Sequence, residues 1–323
     1  MKRASADHQK EPLLSTEKIR AEILRLKRDR NALFLAHYYQ DSEIQDLADI
    51  LGDSLALAQA AQKTDAEVIL FCGVHFMAET AKILNPEKIV ILPDLNAGCS
   101  LAASCPAPLL KQWREEHPDY KVISYINCSA EVKALSDVIC TSSNAKRIVE
   151  SFGKERKLLF APDKNLGAWL IDQLDHPMEL WPGACHVHEA FHAEKILETK
   201  LTHPDALFIC HPECEAPVRF HADFIGSTSA LLRFVIESPK EKFIVGTEAG
   251  IIHQMQKRAP GKQFIPAPFT SDRSCNCNEC PYMRLNTLEK TYTALRDLQP
   301  RIEMDPVLLE KARIPLERML RLS

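Results

Sequence analysis

The feature that most limits what this chain can fold into is a threefold internal repeat. Apolar runs deliver the segments Ala36-His37-Tyr38-Tyr39, Ser124-Tyr125-Ile126-Asn127 and Cys210-His211-Pro212-Glu213. A hydroxyl stands 17 residues after each polar start: Ser54 after His37, Ser142 after Tyr125 and Thr228 after His211. An acid precedes each hydroxyl by five residues, at Asp49, Asp137 and Asp223. The same period of 86 to 88 residues carries Cys99 onto Cys185, and a longer step of 95 residues reaches Cys280. Repeats decide architecture before any single motif does. These predict three related lobes, each contributing one thiolate.

Length agrees, because 323 residues exceed what one core usually serves. The 40 basic and 44 acidic residues are spread along the chain, and a net charge of -4 leaves no footprint for nucleic acid or an anionic membrane. The stretch from Met1 to Leu13 lacks the apolar core of a signal peptide, and no uncharged run approaches the length of a membrane span. The expectation is a cytoplasmic protein with small-molecule chemistry. Eleven cysteines in that compartment do not read as a disulfide framework. The question is which of them bind metal.

Short β-rich runs alternate with helical ones throughout. The first unit reads as strand Ala32 to Ala36, helices Glu43 to Ile50 and Ser54 to Gln62, strand Val68 to Phe71, helix Met77 to Leu84 and strand Ile89 to Leu92. Strands Val122 to Ile126, Leu158 to Phe160 and Glu179 to Trp181 continue the pattern, followed by Ala206 to Cys210, Lys242 to Val245 and Phe264 to Ile265. Such alternation predicts an α/β fold: three homologous α/β/α lobes with parallel sheets in pseudo-threefold arrangement around a central site. The domains are residues 1–30 (tail and helix), 31–112, 113–198 and 199–300 (the lobes) and 301–323 (a C-terminal packing helix interrupted by Pro315). The polar, proline-containing stretches Pro106 to Asp119 and Ala190 to Pro204 read as the connections.

Residues two apart on a strand point the same way, so His37 with Tyr39, Tyr125 with Asn127 and His211 with Glu213 each present a polar pair at a strand end. Ligands of parallel sheets lie beyond those carboxyl ends. The hydroxyls Ser54, Ser142 and Thr228 each stand where a helix begins, and free N–H groups there suit carboxylate or phosphate. Taken singly, each is an ordinary cap residue; the shared 17-residue offset argues for more. A lone histidine is usually structural, which covers His8, His117, His176, His203 and His253. His37 and His211 differ in occupying equivalent repeat positions, and His188 in following Cys185 by three.

Cys275-Asn276-Cys277-Asn278-Glu279-Cys280 is the densest thiol cluster, yet it lacks the second pair of a zinc knuckle. One cysteine per lobe, Cys99, Cys185 and Cys280, each after the third strand of its lobe, instead suits a metal at the centre. Four thiolates usually hold a 4Fe-4S cluster, and three would leave one iron open as a Lewis acid. Beside an anion pocket, elimination of water is a better expectation than electron transfer. Cys72, Cys128, Cys140 and Cys210 lie in apolar strand contexts and read as buried fillers.

Seven motifs resemble those of the quinolinate synthase family, iron-sulfur enzymes of bacterial NAD biosynthesis. They are Ala36-His37-Tyr38-Tyr39-Gln40, Gly52-Asp53-Ser54-Leu55, the run from Gly73 to Lys82, the run from Pro93 to Ser100, Cys185-His186-Val187-His188-Glu189, His211-Pro212-Glu213-Cys214 and Gly246-Thr247-Glu248. The resemblance implies a transferase-type condensation of iminoaspartate with dihydroxyacetone phosphate, with loss of phosphate and two waters, and an aspartate-oxidising enzyme as supplier. It implies a 4Fe-4S cluster on Cys99, Cys185 and Cys280, and substrate contacts from His37, Ser54, Tyr125, Asn127, Ser142, His211, Glu213 and Thr228. The implied roles are Glu213 as general acid/base, assisted by His211 and Tyr39, with His188 beside the open iron. Another hydro-lyase acting on a di- or tricarboxylate is the alternative. The departure is the spacing of the last cysteine motif, with Ser274 where some members carry a thiol; Cys275 and Cys277 read as a regulatory or repair pair.

Overall fold

The structure is a computed structural model that describes residues 14–269 and 278–323. Twelve strands among them form three four-stranded sheets. The first holds β1 (Ala32–His37), β2 (Ile50–Gly52), β3 (Val68–Cys72) and β4 (Ile89–Ile91). The second holds β5 (Lys121–Tyr125), β6 (Val138–Cys140), β7 (Leu158–Ala161) and β8 (Glu179–Leu180). The third holds β9 (Leu207–Cys210), β10 (Phe224–Ile225), β11 (Lys242–Gly246) and β12 (Gln263–Pro266). Each sheet runs second, first, third, fourth across its width, and all neighbours are parallel.

The strands are apolar on both faces because both faces are covered. In the first lobe Phe34, Ala36, Leu70 and Cys72 pack with Ile23 and Leu295, while Leu35, Ile69 and Phe71 face the opposite cluster. In the third, Ile209, Phe243 and Val245 face one cluster and Phe208, Cys210 and Ile244 the other. The repeated acids have a common structural task. Asp49, Asp137 and Asp223 accept from the main-chain N–H of Phe34, Val122 and Phe208 at 2.8, 2.9 and 2.7 Å. Each also donates its own N–H to the carbonyl of that same residue, which sets the register of the second strand against the first.

That second strand is what the sequence reading lacks in every lobe. The expected helix Glu43 to Ile50 is one turn, Ser42–Gln45, followed by β2. Two- and three-residue strands carry too little periodicity to be read from apolar pattern alone. As a result each sheet has four strands, and Cys99 follows the fourth strand, not the third. The stretches 106–119 and 190–204 are not plain connections: they contain the helices Ala107–Glu116 and Ala193–Thr202. Pro106 and Pro108 sit at the start of the former, where proline costs no hydrogen bond. Pro315 does not interrupt the last helix, which runs unbroken over Pro306–Arg321 with Ala312, Leu316 and Met319 buried. A further helix, Leu288–Asp297, packs beside Thr16–Asp29 on the first sheet.

The first and second lobes share one continuous core, and a buried cation holds their seam. Lys133 is fully buried, donates to the carbonyl oxygens of Cys128 and Phe76, and lies 5.5 Å from the Phe76 ring centroid. Glu79 faces it; burial pushes that carboxyl up while Lys133 and His75 pull it back. Lys133→Met removes a donor from each of those carbonyls and a neighbouring counter-charge, so a loss of about 3 kcal/mol is expected. A lower urea midpoint at unchanged slope checks it.

Candidate active site

Parallel strands deliver their carboxyl ends to one side, and the three lobes turn that side towards a common cavity. His37 ends β1 with Tyr39 beyond it, Tyr125 ends β5 with Asn127 beyond it, and His211 and Glu213 follow β9; all six line the cavity. Ser54, Ser142, Thr228, His188, Cys99, Cys185 and Cys280 complete the wall. Every site residue singled out in the sequence therefore borders the same space.

Repeat equivalence extends to hydrogen bonding. The N–H of Tyr39 donates to His37 Nδ1 at 3.2 Å, and that of Glu213 to His211 Nδ1 at 3.3 Å. With Nδ1 accepting, the neutral ring carries its proton on Nε2, and His211 Nε2 meets Ser142 Oγ at 3.1 Å. Burial pushes both imidazoles down to about 4, against the pull of nearby carboxylates. Both are neutral at physiological pH.

The repeat hydroxyls are not the cap residues. Asp53 caps the helix Ser54–Lys63 by accepting from Ala56 N, and Ser227 caps Thr228–Glu237 by accepting from Ala230 N. That leaves Ser54 and Thr228 to border the cavity one position later. Ser143 joins these helix starts across the lobes: it donates to Asp53 Oδ2 at 2.8 Å and shares a 2.8 Å hydrogen bond with Ser227 Oγ. One serine of the second lobe thus fixes the caps of the other two.

Glu213 is buried between His188, whose Nδ1 stands 2.8 Å from its Oε2, and His211, whose Nδ1 is 3.9 Å away. Burial pushes this carboxyl up, but His188, His211 and a hydrogen bond from Tyr125 outweigh it and hold it down at about 2. The group is an ionised acceptor. Asn127 Oδ1 is buried with no hydrogen-bond partner among the described residues, as a group reserved for a ligand would be.

Of the nine described cysteines only Cys99, Cys185 and Cys280 are partly exposed; Cys72, Cys105, Cys128, Cys140, Cys210 and Cys214 are buried. Burial pushes the Cys99 thiol up to about 12 and raises Cys185 and Cys280 as well. Each sulfur nevertheless accepts from backbone N–H groups: Cys99 from Ala102 and Leu101, Cys185 from His188, Cys280 from Met283 and Tyr282. Amides aimed at sulfurs that lie too deep to ionise alone suit thiolates neutralised by metal. A tighter group is also present: single donor atoms of Cys185, His188 and Glu213 lie within 4.8 Å of one another. That spacing suits one ion, whereas a cluster needs sulfurs farther apart. Cys275 and Cys277 lie outside the described residues.

Sequence reasoning missed Asp53, Ser143, Thr247 and Glu248 as parts of the site. Glu248 borders the cavity and accepts from Gly250 N at 2.7 Å, Cys280 N at 3.1 Å and Arg284 Nη2 at 3.2 Å, so it holds the turn that carries Cys280. Burial pushes its carboxyl up to about 8, against the Arg284 guanidinium. The signal was present in Gly246-Thr247-Glu248, a motif without an evident role until the turn after β11 is seen.

Three homologous parallel-sheet lobes closing on one polar, thiol-lined cavity define a pseudo-threefold α/β enzyme. The family described as quinolinate synthetase A protein matches residues 21–321. The chain is 59% identical over 321 residues to a quinolinate synthase of Chloroherpeton thalassium, covering 99% of both chains. It is 58% identical over 303 residues to those of Trichormus variabilis and Thermosynechococcus vestitus, covering 94% of this chain and 93% and 95% of theirs. The chain belongs to the quinolinate synthase family. No helix among the described residues is long and apolar enough to cross a membrane.

Proposed function

We propose that this chain condenses iminoaspartate with dihydroxyacetone phosphate to quinolinate, releasing phosphate and two waters. Atoms balance without any oxidant or reductant. The observation that carries the reading is the convergence of repeat-equivalent polar side chains and three partly exposed thiols on one cavity, in a chain so similar to quinolinate synthases. Cys99, Cys185 and Cys280 would hold a 4Fe-4S cluster, which when bound supplies a Lewis-acidic iron for a substrate oxygen.

The chain's own residues bind, orient and move protons. Ser54, Ser142 and Thr228, with Tyr125 and Asn127, hold the substrates' carboxylates and phosphate, two of the hydroxyls standing at starts of ten-residue helices where the dipole favours anions. Glu213 removes and returns the protons of the isomerisation and dehydration steps. His211, neutral with its proton on Nε2, and the Tyr39 phenol donate hydrogen bonds to developing oxyanions. Burial of this wall excludes water from an imine that hydrolyses readily, and a reaction that oxidises aspartate must supply that imine. A cytoplasmic setting fits cysteines kept reduced.

The test is an anaerobic assay with dihydroxyacetone phosphate and iminoaspartate generated in place. Quinolinate and phosphate should appear in equal amounts. Dehydration of a di- or tricarboxylate with no dependence on dihydroxyacetone phosphate would favour the hydro-lyase alternative.

A further inference from the structure

Each of the three partly exposed cysteines opens a short turn of the same form. The carbonyl oxygens of Cys99, Cys185 and Cys280 accept the N–H groups of Ala103, Glu189 and Arg284, each four residues on, at 3.0, 2.9 and 3.2 Å. Cys99 and Cys185 are the cap residues of the helices Ser100–Ala103 and His186–Glu189, so Ser100 and His186 hold equivalent first positions, 86 residues apart. Cys280 leads into the single 3-10 turn Met283–Leu285.

The residues beside these cysteines touch one another across the lobes. Ser100 Oγ shares a 2.7 Å hydrogen bond with His186 Nδ1 and also accepts the His186 main-chain N–H at 3.5 Å. The Tyr282 ring meets the His186 ring edge-on at a centroid distance of 6.0 Å. Two carbons of the same tyrosine ring lie 3.7 Å from the position a side chain at Gly98 would take, so Tyr282 also covers the residue before Cys99. The neighbours of the three thiols thus close a ring, from Ser100 to His186, from His186 to Tyr282 and from Tyr282 to Gly98. All four border the cavity, and none has a part in the substrate contacts or proton transfers proposed above.

This ring is not what joins the lobes. Trp181 Nε1 donates to the Ser104 carbonyl at 2.9 Å, and the first and second lobes share one continuous core. A single hydrogen bond at an exposed imidazole adds little to such a seam. Its distinctive consequence falls on the adjacent thiols. We propose that His186 is a positioning residue for them: bonded to Ser100 and packed on Tyr282, it fixes how far apart the turns of Cys99, Cys185 and Cys280 stand, and so how firmly they keep a bound cluster. The inference rests on the ligand set proposed above, and His186 acts only through the cysteine turns.

The test measures iron release from the full-length, anaerobically purified chain to an excess of a ferrous chelator. His186→Ala, which loses both ties, should release iron about 10- to 100-fold faster than the wild type, the range in which outer partners of metal ligands act. Ser100→Ala should also release it faster, and Ser100→Thr, which keeps the hydroxyl, should stay close to the wild type. Combining Ser100→Ala with His186→Ala should add nothing to His186→Ala alone, as expected of two groups in one contact. The melting temperature of the iron-free chain should be the same in every variant, which separates loosened thiols from a damaged fold. Release from His186→Ala within twofold of wild type overturns the proposal, as do equal defects in Ser100→Thr and Ser100→Ala, losses that multiply in the double variant, or a lower melting temperature of iron-free His186→Ala. A wild type that holds no iron overturns it together with the ligand set. Failure of the function proposed above shows differently, as a wild type that keeps its iron and forms no quinolinate.

Discussion

Glu213→Gln is expected to lower quinolinate formation by about a thousandfold, within the range a proton-transfer group contributes. Glutamine has the shape of glutamate and can still meet Tyr125 and the imidazoles, so the cavity wall should survive. It cannot take up a proton. The carboxylate is held ionised by its setting: His188 Nδ1 stands 2.8 Å away and His211 3.9 Å, inside a wall where all three side chains are buried. Because burial pushes His211 down to about 4, that imidazole is neutral at pH 7 and the carboxylate is the anion on this part of the cavity wall. Iron content and melting temperature should match the wild type, which separates a lost proton carrier from a collapsed site. A rate within tenfold of wild type would remove Glu213 from the proton-transfer role.

Removing iron with a chelator after air oxidation is expected to abolish turnover while leaving the fold in place. The cores are built from strand and helix side chains such as Phe34, Phe160, Phe208 and Phe243, and the thiols lie at the cavity edge of turns. Nothing in those cores depends on metal, unlike small zinc domains that unfold without it. Far-ultraviolet circular dichroism and the urea transition should change little, and anaerobic addition of iron and sulfide should restore activity. Retained turnover in the iron-free chain would contradict the proposed chemistry. Unfolding on iron loss would contradict the independence of these cores from the metal.

Much of this site is legible because the repeat marks positions twice, by residue type and by spacing. His37 and His211 are equivalent in sequence, and the structure gives both the same acceptor bond from the N–H two residues on. The acids Asp49, Asp137 and Asp223 were equally visible, yet pattern alone cannot separate a strand latch from a ligand. Their role depends on main-chain N–H groups 15 residues earlier. The short strands β2, β6 and β10 escaped because two or three residues held by pairing carry no period of their own. Thr247, Ser143 and Glu248 escaped for a different reason. Thr247 and Ser143 meet side chains of other lobes, and Glu248 meets a turn some 30 residues further along its own, so only tertiary contact reveals them. The helices at 107–116 and 193–202 were hidden by prolines and polar residues that read as connection but suit a helix start and an exposed face.

The account stands or falls on one thiolate from each lobe meeting at one metal centre. Iron and acid-labile sulfide measured on anaerobically purified wild type, Cys99→Ala, Cys185→Ala and Cys280→Ala test it most directly, with Cys72→Ala as a buried control away from the cavity. The account predicts about four iron and four sulfide per chain in the wild type and in the control, and loss of most of both in each of the other three variants. Full iron and sulfide in any one of those three would contradict it.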